Sequence, residues 1–139
     1  MRGRARVIRF VIDASAAAEY LLRTPLGRKL EDLVEEAFLL APDLLDAEVL
    51  SVLRRALLQG RIEEHRARLA LQDLGDWQVD RIPHRVLLQR AWKHRHNVSA
   101  YDAFYVAAAG LYEAPLLTAD GPLSRAPGLG IAVQNIRLS

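Results

Sequence analysis

Apolar residues fall along this chain in two kinds of pattern. Trp77 to Ile82, ended by Pro83, reads as a strand, and short, mainly apolar runs at Val7 to Ile12, Phe38 to Ala41 and Pro115 to Thr118 lead to Asp13, Pro42 and Asp120. Such runs read as strands buried on both faces. Ile131 to Ile136 reads as a further strand at the edge. Between them, apolar residues recur at helical spacing. Ala16 to Leu22 forms a short helix, and Thr24-Pro25 opens a second in which Leu26, Leu30, Leu33, Val34 and Ala37 make one stripe. Asp43 to Gln59 predicts a longer helix with Ala47, Leu50, Leu53 and Leu57 on one side and Gly60 as its stop. Arg61 to Leu74 predicts its antiparallel partner through Ile62, Leu69 and Leu71, and a helix through Val86, Leu87, Ala91 and Trp92 follows. Ser99 to Tyr112 is the most apolar helix, packing through Phe104, Ala107, Ala108 and Leu111.

Strands alternating with helices predict an α/β fold of three layers, helices covering both faces of a mostly parallel sheet of four to five strands. No repeat, low-complexity tract or linker divides the chain, so residues 1–139 read as a single domain. In this architecture ligands bind beyond the carboxyl ends of the strands, where the strand order reverses. Asp13 and Asp120 each stand at such an end.

Composition narrows the classes. A chain of 139 residues, 51% hydrophobic, can bury a sizeable core and is not a disordered chain. Charges at Arg9, Asp13 and Glu19 keep every apolar run short of the ~20 residues of a membrane span, and the basic start lacks the pattern of a signal peptide. The absence of cysteine removes disulfides, a thiolate nucleophile and Cys-type zinc sites, and suits a cytoplasmic protein. A net charge of +2 permits a polyanionic partner without demanding one.

Four carboxylates at comparable junctions carry the candidate chemistry. Asp13 ends a buried strand, and by itself it also suits a helix N-cap. Glu48 sits mid-helix among Leu44, Leu45 and Val52, beside the buried stripe, although an isolated helical Glu is ordinarily solvated, as Asp43, Asp46, Glu63 and Glu64 are expected to be. Asp102 fits a capping box with Ser99, yet Phe104, Tyr105 and Val106 surround it with apolar surface. Asp120 follows a strand and precedes Gly121-Pro122, an ordinary turn context, with Thr118 placed to orient it or a bound water. A cluster of such acids would repel itself and raise its own pKa values, and an oxygen-preferring divalent ion would compensate it. One or two such ions activate water for in-line attack on a phosphodiester.

Other polar groups weigh less. His94-Arg95-His96 does not put two rings on one helix face, and His65 and His84 are distant, so all read as solvated, with Lys93 and Arg95 as candidates for phosphate contact. Trp77 and Trp92 read as core rather than as base-stacking platforms.

Val11-Ile12-Asp13-Ala14-Ser15-Ala16, Pro42-Asp43-Leu44-Leu45-Asp46-Ala47-Glu48-Val49, Ser99 to Ala107 and Pro115-Leu116-Leu117-Thr118-Ala119-Asp120 together resemble the PIN domain, and more narrowly its VapC branch, the toxins of toxin-antitoxin pairs. The most specific part is Tyr101-Asp102-Ala103-Phe104-Tyr105-Val106-Ala107 followed by Leu117-Thr118-Ala119-Asp120. The resemblance implies a Mg²⁺- or Mn²⁺-dependent endoribonuclease with Asp13, Glu48, Asp102 and Asp120 as metal-binding catalytic acids. It also implies Ser15 and Thr118 as supporting groups, a homodimer and an antitoxin partner that covers the site. Two other readings stay open: a non-catalytic protein-binding domain of this fold, and phosphoryl transfer with Asp13 as nucleophile. The latter ordinarily places a second acid two residues on, where Ser15 stands here.

Overall fold

The computed structural model describes residues 8–138, so Val7 and the basic residues before it lie outside the described residues. Five strands, β1 (Arg9–Ile12), β2 (Phe38–Pro42), β3 (Val79–Ile82), β4 (Leu116–Thr118) and β5 (Val133–Asn135), form one sheet in the order β3-β2-β1-β4-β5. Every neighbouring pair is parallel. From β1 the chain builds outward through β2 and β3, then returns to lay β4 on the other side of β1. The order therefore reverses between β1 and β4, in register Val11 to Leu116 and Ile12 to Leu117.

Helices α1 (Ala14–Leu21), α4 (Leu44–Leu58) and α5 (Glu64–Asp76) pack on one another over one face of the sheet. Helix α7 (Ala100–Tyr112) crosses β1, β2 and β4 on the other, with α6 (Leu88–Trp92) against it. The three-layer expectation therefore holds, with all five strands parallel. The sheet centre is built from Val11, Ile12, Leu116 and Leu117, all fully buried. α7 fits so closely because its packing face is Ala103, Val106, Ala107 and Ala108, small residues that admit a near approach to the strands.

Several element boundaries and faces differ from the pattern reading. The stripe from Leu26 to Ala37 is broken into α2 (Pro25–Arg28) and α3 (Glu31–Glu36), with Leu30 buried at the corner. α2 lies against α1 so tightly that a Cβ on Gly27 would come within 1.9 Å of the Glu19 carbonyl oxygen. In α4 the buried face is Leu44, Leu45, Val49, Leu53 and Ala56, leaving Ala47 and Leu50 outward. In α5 it is Ala67, Ala70 and Leu74, with Leu71 exposed. Alanines took the packing positions because two helices lying on a third leave little room between them. Trp92 is 66% exposed and so is not core, because α6 is a single short turn buried only through Ala91. Two polar residues expected to be solvated are instead tied into the fold: the Leu44 amide donates to His84 Nε2 (2.9 Å), and Arg81 holds Asp46. α8 (Gly121–Ser124) and β5 complete the fold. No helix among the described residues is long and apolar enough to cross a membrane.

Candidate active site

β1 ends at the point where the strand order reverses, and Asp13 is the next residue, 4% exposed. Its backbone amide still pairs with β4, donating to the Leu117 carbonyl (3.1 Å), while its side chain turns to cap α1. Oδ1 accepts from the Ala16 amide (3.0 Å) and the Ser15 hydroxyl (2.7 Å), and Oδ2 accepts from the Thr118 hydroxyl (2.5 Å). All three donors are neutral. Burial pushes the Asp13 carboxyl up from 3.8 to about 6, against the lowering effect of the Thr118, Ala16 and Ser15 bonds, and the nearby Asp102 raises it further.

Thr118 and Ser15 also bind the loop after β4. The Ala119 amide donates to Ser15 Oγ (2.9 Å) and the Asp120 amide to Thr118 Oγ1 (2.9 Å), so one hydroxyl pair fixes both Asp13 and the approach to Asp120. Asp120 caps α8 through the Leu123 amide (3.0 Å), and Arg137 steadies the same loop by donating to the Ala119 carbonyl (2.9 Å). Asp102 enters from α7, whose N-cap Ser99 accepts from the Asp102 amide (3.1 Å). Glu48 enters from α4 and accepts a hydrogen bond from the buried Tyr105 hydroxyl (2.8 Å). Capping and site membership thus coincide at Asp13 and Asp120, because a carboxylate at a strand-to-helix junction caps the helix amides through one oxygen while the residue still lines the cleft.

The four acids line a single open cleft of about 230 Å³ with Ser15, Ser51, Arg55 and Tyr105. Burial raises the Glu48 and Asp102 carboxyls, and their acidic neighbours raise them again, Asp102 acting on Glu48 and Asp120 on Asp102. Asp102 is therefore the central member electrostatically. Burial pushes the Tyr105 phenol far up as well, so it stays a neutral donor to Glu48.

No acid of the cleft is ion-paired among the described residues. Nor, among those residues, is any group of three or more His, Asp or Glu side chains already arranged to hold a metal ion. The acids border the cleft without closing on a point. The donor set still suits a small hard cation that keeps several waters and binds directly through one or two carboxylates. Buried carboxylates with raised pKa values and no counter-charge are what such an ion would relieve.

Among the cleft residues to which the pattern reading gave no site role are Ser51, Arg55 and Tyr105. Arg55 lies two helical turns after Glu48 and forms no ion pair among the described residues. That i to i+7 spacing was the available signal. Tyr105, one turn after Asp102, was read only as apolar surround. Lys93 and Arg95 do not line the cleft. They lie on the segment between α6 and α7, where Arg95 covers the Trp92 ring at 4.9 Å.

Residues 10–129 match the model of the PIN domain. Among similar proteins, ribonuclease VapC1 of Mycobacterium tuberculosis is 43% identical over 129 residues, covering 91% of this chain and 97% of that protein. Ribonuclease VapC12 of the same organism is 33% identical over 118 residues, covering 85% and 92%. The crystal structure of PAE2754 from Pyrobaculum aerophilum shares the fold with a TM-score of 0.65 at 22% identity, over 94% of this chain and 86% of that one. This chain belongs to the PIN-domain family, alongside the VapC ribonucleases.

Proposed function

We propose that this protein is a metal-dependent endoribonuclease, the toxin of a toxin-antitoxin pair, and that Asp13, Glu48, Asp102 and Asp120 form its catalytic centre. The observation that carries the reading is Asp13: a carboxylate buried at the switch point, held by three neutral donors, with three more acids on the same cleft and, among the described residues, no cation paired to any of them. Family membership supports ribonuclease chemistry, and the charge pattern supports a divalent ion.

Asp13, Asp102, Glu48 and Asp120 would together hold Mg²⁺ or Mn²⁺, which when bound supplies charge neutralisation and an activated water. Ser15 and Thr118 keep the Asp13 oxygens turned into the cleft, and Tyr105 fixes the rotamer of Glu48. Arg55 supplies the one basic group on the cleft wall among the described residues and would take a phosphate oxygen flanking the cut. In the reaction a water oxygen bonds to phosphorus in line with the departing ribose oxygen, and the bond to that oxygen breaks. Phosphoryl transfer through Asp13 fits less well, because both of its oxygens already accept hydrogen bonds and Ser15 occupies the position of the second acid. A cognate antitoxin, a homodimer and a cytoplasmic location complete the proposal.

The test is cleavage of a cellular RNA pool by antitoxin-free protein with Mn²⁺ or Mg²⁺, beside a chelated sample and Asp102→Asn. Discrete fragments that vanish in both controls are expected. Folded protein that never cuts, yet still binds a partner, would make it a binding domain of this fold instead.

A further inference from the structure

Charge is distributed unevenly along this chain. From Arg81 through Tyr101 there are five of the nineteen Lys and Arg residues and none of the seventeen Asp and Glu. Arg81 is paired with Asp46, but Arg85, Arg90, Lys93 and Arg95 form no ion pair among the described residues. All four are exposed. The segment is anchored through Ile82, Leu87 and Ala91 in the core, while Arg85, Arg90, Trp92, Lys93 and Arg95 face solvent. At its centre stands Trp92, 66% exposed, with the Arg95 guanidinium over its ring and the Arg95 Nη1 bonded back to the Trp92 carbonyl (2.9 Å).

A tryptophan face left in water loses the burial that its size would otherwise contribute. A pre-formed arginine–tryptophan pair flanked by unpaired cations is the combination that binds a single-stranded nucleic acid, with a base stacked on the ring and phosphates on the cations. The same segment leads directly into Ser99 and the first turn of α7, which carries Asp102. We propose that Trp92 is a base-stacking platform for the RNA substrate, with Lys93 and Arg95 contacting the adjoining phosphates, and that this segment selects which strand reaches the acidic cleft. The inference rests on the ribonuclease reading and adds a substrate-positioning surface outside the cleft.

The experiment measures binding of a short, labelled single-stranded RNA of mixed sequence by fluorescence anisotropy without divalent metal, in an Asp102→Asn background so that nothing is cut. Trp92→Ala is expected to weaken binding about tenfold, and Trp92→Phe, which keeps a stacking ring, by about threefold at most. Lys93→Gln and Arg95→Gln should each reduce the slope of log K against log salt by about 0.7, the signature of one lost phosphate contact on a single strand. Size exclusion and binding to phosphatidylserine vesicles are run on the same proteins. Unchanged RNA affinity in Trp92→Ala would overturn the proposal. So would a changed oligomeric state in that variant, which would make the patch a contact between copies, or binding to vesicles but not to RNA. Cleavage by the wild-type protein is assayed in parallel. Cutting with unchanged binding by Trp92→Ala removes only the platform, whereas wild-type protein that neither cuts nor binds RNA removes the nuclease reading with it.

Discussion

Asp46 and Glu48 lie two residues apart on α4, yet the fold treats their charges in opposite ways. Asp46 receives Arg81 through both oxygens, Nη2 at 2.7 Å and Nε at 3.2 Å, and the same guanidinium donates to the carbonyls of Leu74, Trp77 and Val79. One arginine thereby ties α4, the end of α5 and β3 together. Glu48, Asp13 and Asp102 receive only neutral donors, and all three carboxyls are raised by burial. Charge-assisted bidentate pairing is evidently available to this chain. Where an acid supports the architecture it is neutralised internally, and where it faces the cleft its charge is left for something outside the chain.

The largest effect that could break this contrast is on cleavage. Asp102→Asn removes the acid that couples electrostatically to the other three and should lower the cleavage rate by about a hundredfold or more, with the far-UV spectrum unchanged. Retained activity would mean that the cleft acids are structural, like Asp46.

Asp13 provides the stability counterpart. The folded state binds its proton more tightly than the unfolded chain, since its pKa is about 6 against 3.8. That stabilisation is complete below the ordinary carboxylate value and is lost as the pH rises through about 6, a difference of about 3 kcal/mol. Metal-free protein should therefore be harder to unfold in urea at pH 5 than at pH 7. Asp13→Asn should flatten the trend and stabilise the protein at pH 7 while abolishing cleavage. Millimolar Mg²⁺ or Mn²⁺ should raise the melting temperature of the wild type at pH 7, and less so below pH 6, because proton and ion compete for the same oxygens. A metal-independent melting temperature would count against the site.

Arg81→Met should act in the opposite sense on each readout. It leaves Asp46 without its guanidinium and removes the Arg81 bonds to three carbonyls, costing about 1–3 kcal/mol in urea unfolding, yet folded protein should cut RNA at the wild-type rate. Smallest is Tyr105→Phe, which frees Glu48 from the Tyr105 hydroxyl. About 1 kcal/mol of stability should go, and cleavage should need more metal to reach half its maximal rate.

How much of this was legible in sequence differs by kind of residue. The strands β1, β2 and β4 were readable because residues buried on both faces must be apolar throughout, and each run ends at a charge or a proline. The four acids were readable as candidates because they break those runs or sit among large apolar neighbours. Trp92 and Leu50 were misread as core, at 66% and 52% exposed. Periodicity identifies a stripe, but which stripe is buried depends on what packs there, and in α4 and α5 the tight approach of neighbouring helices favours Ala56, Ala67 and Ala70 over the larger Leu50 and Leu71. His84 was misread as solvated because its partner, the Leu44 amide, is forty residues away.

The sequence by itself determined the class of fold, the place of Asp13 and Asp120 at strand ends, and the supply of four acids, since each follows from local pattern and spacing. Only the tertiary structure decided that Asp46 is paired and Glu48 is not, that Thr118 holds Asp13 and Tyr105 holds Glu48, and that Arg55 faces the cleft while Lys93 and Arg95 do not line it. Those distinctions depend on which side chains meet across elements that local pattern leaves uncoupled, and the energy of a charge is set by the neighbours that share its burial.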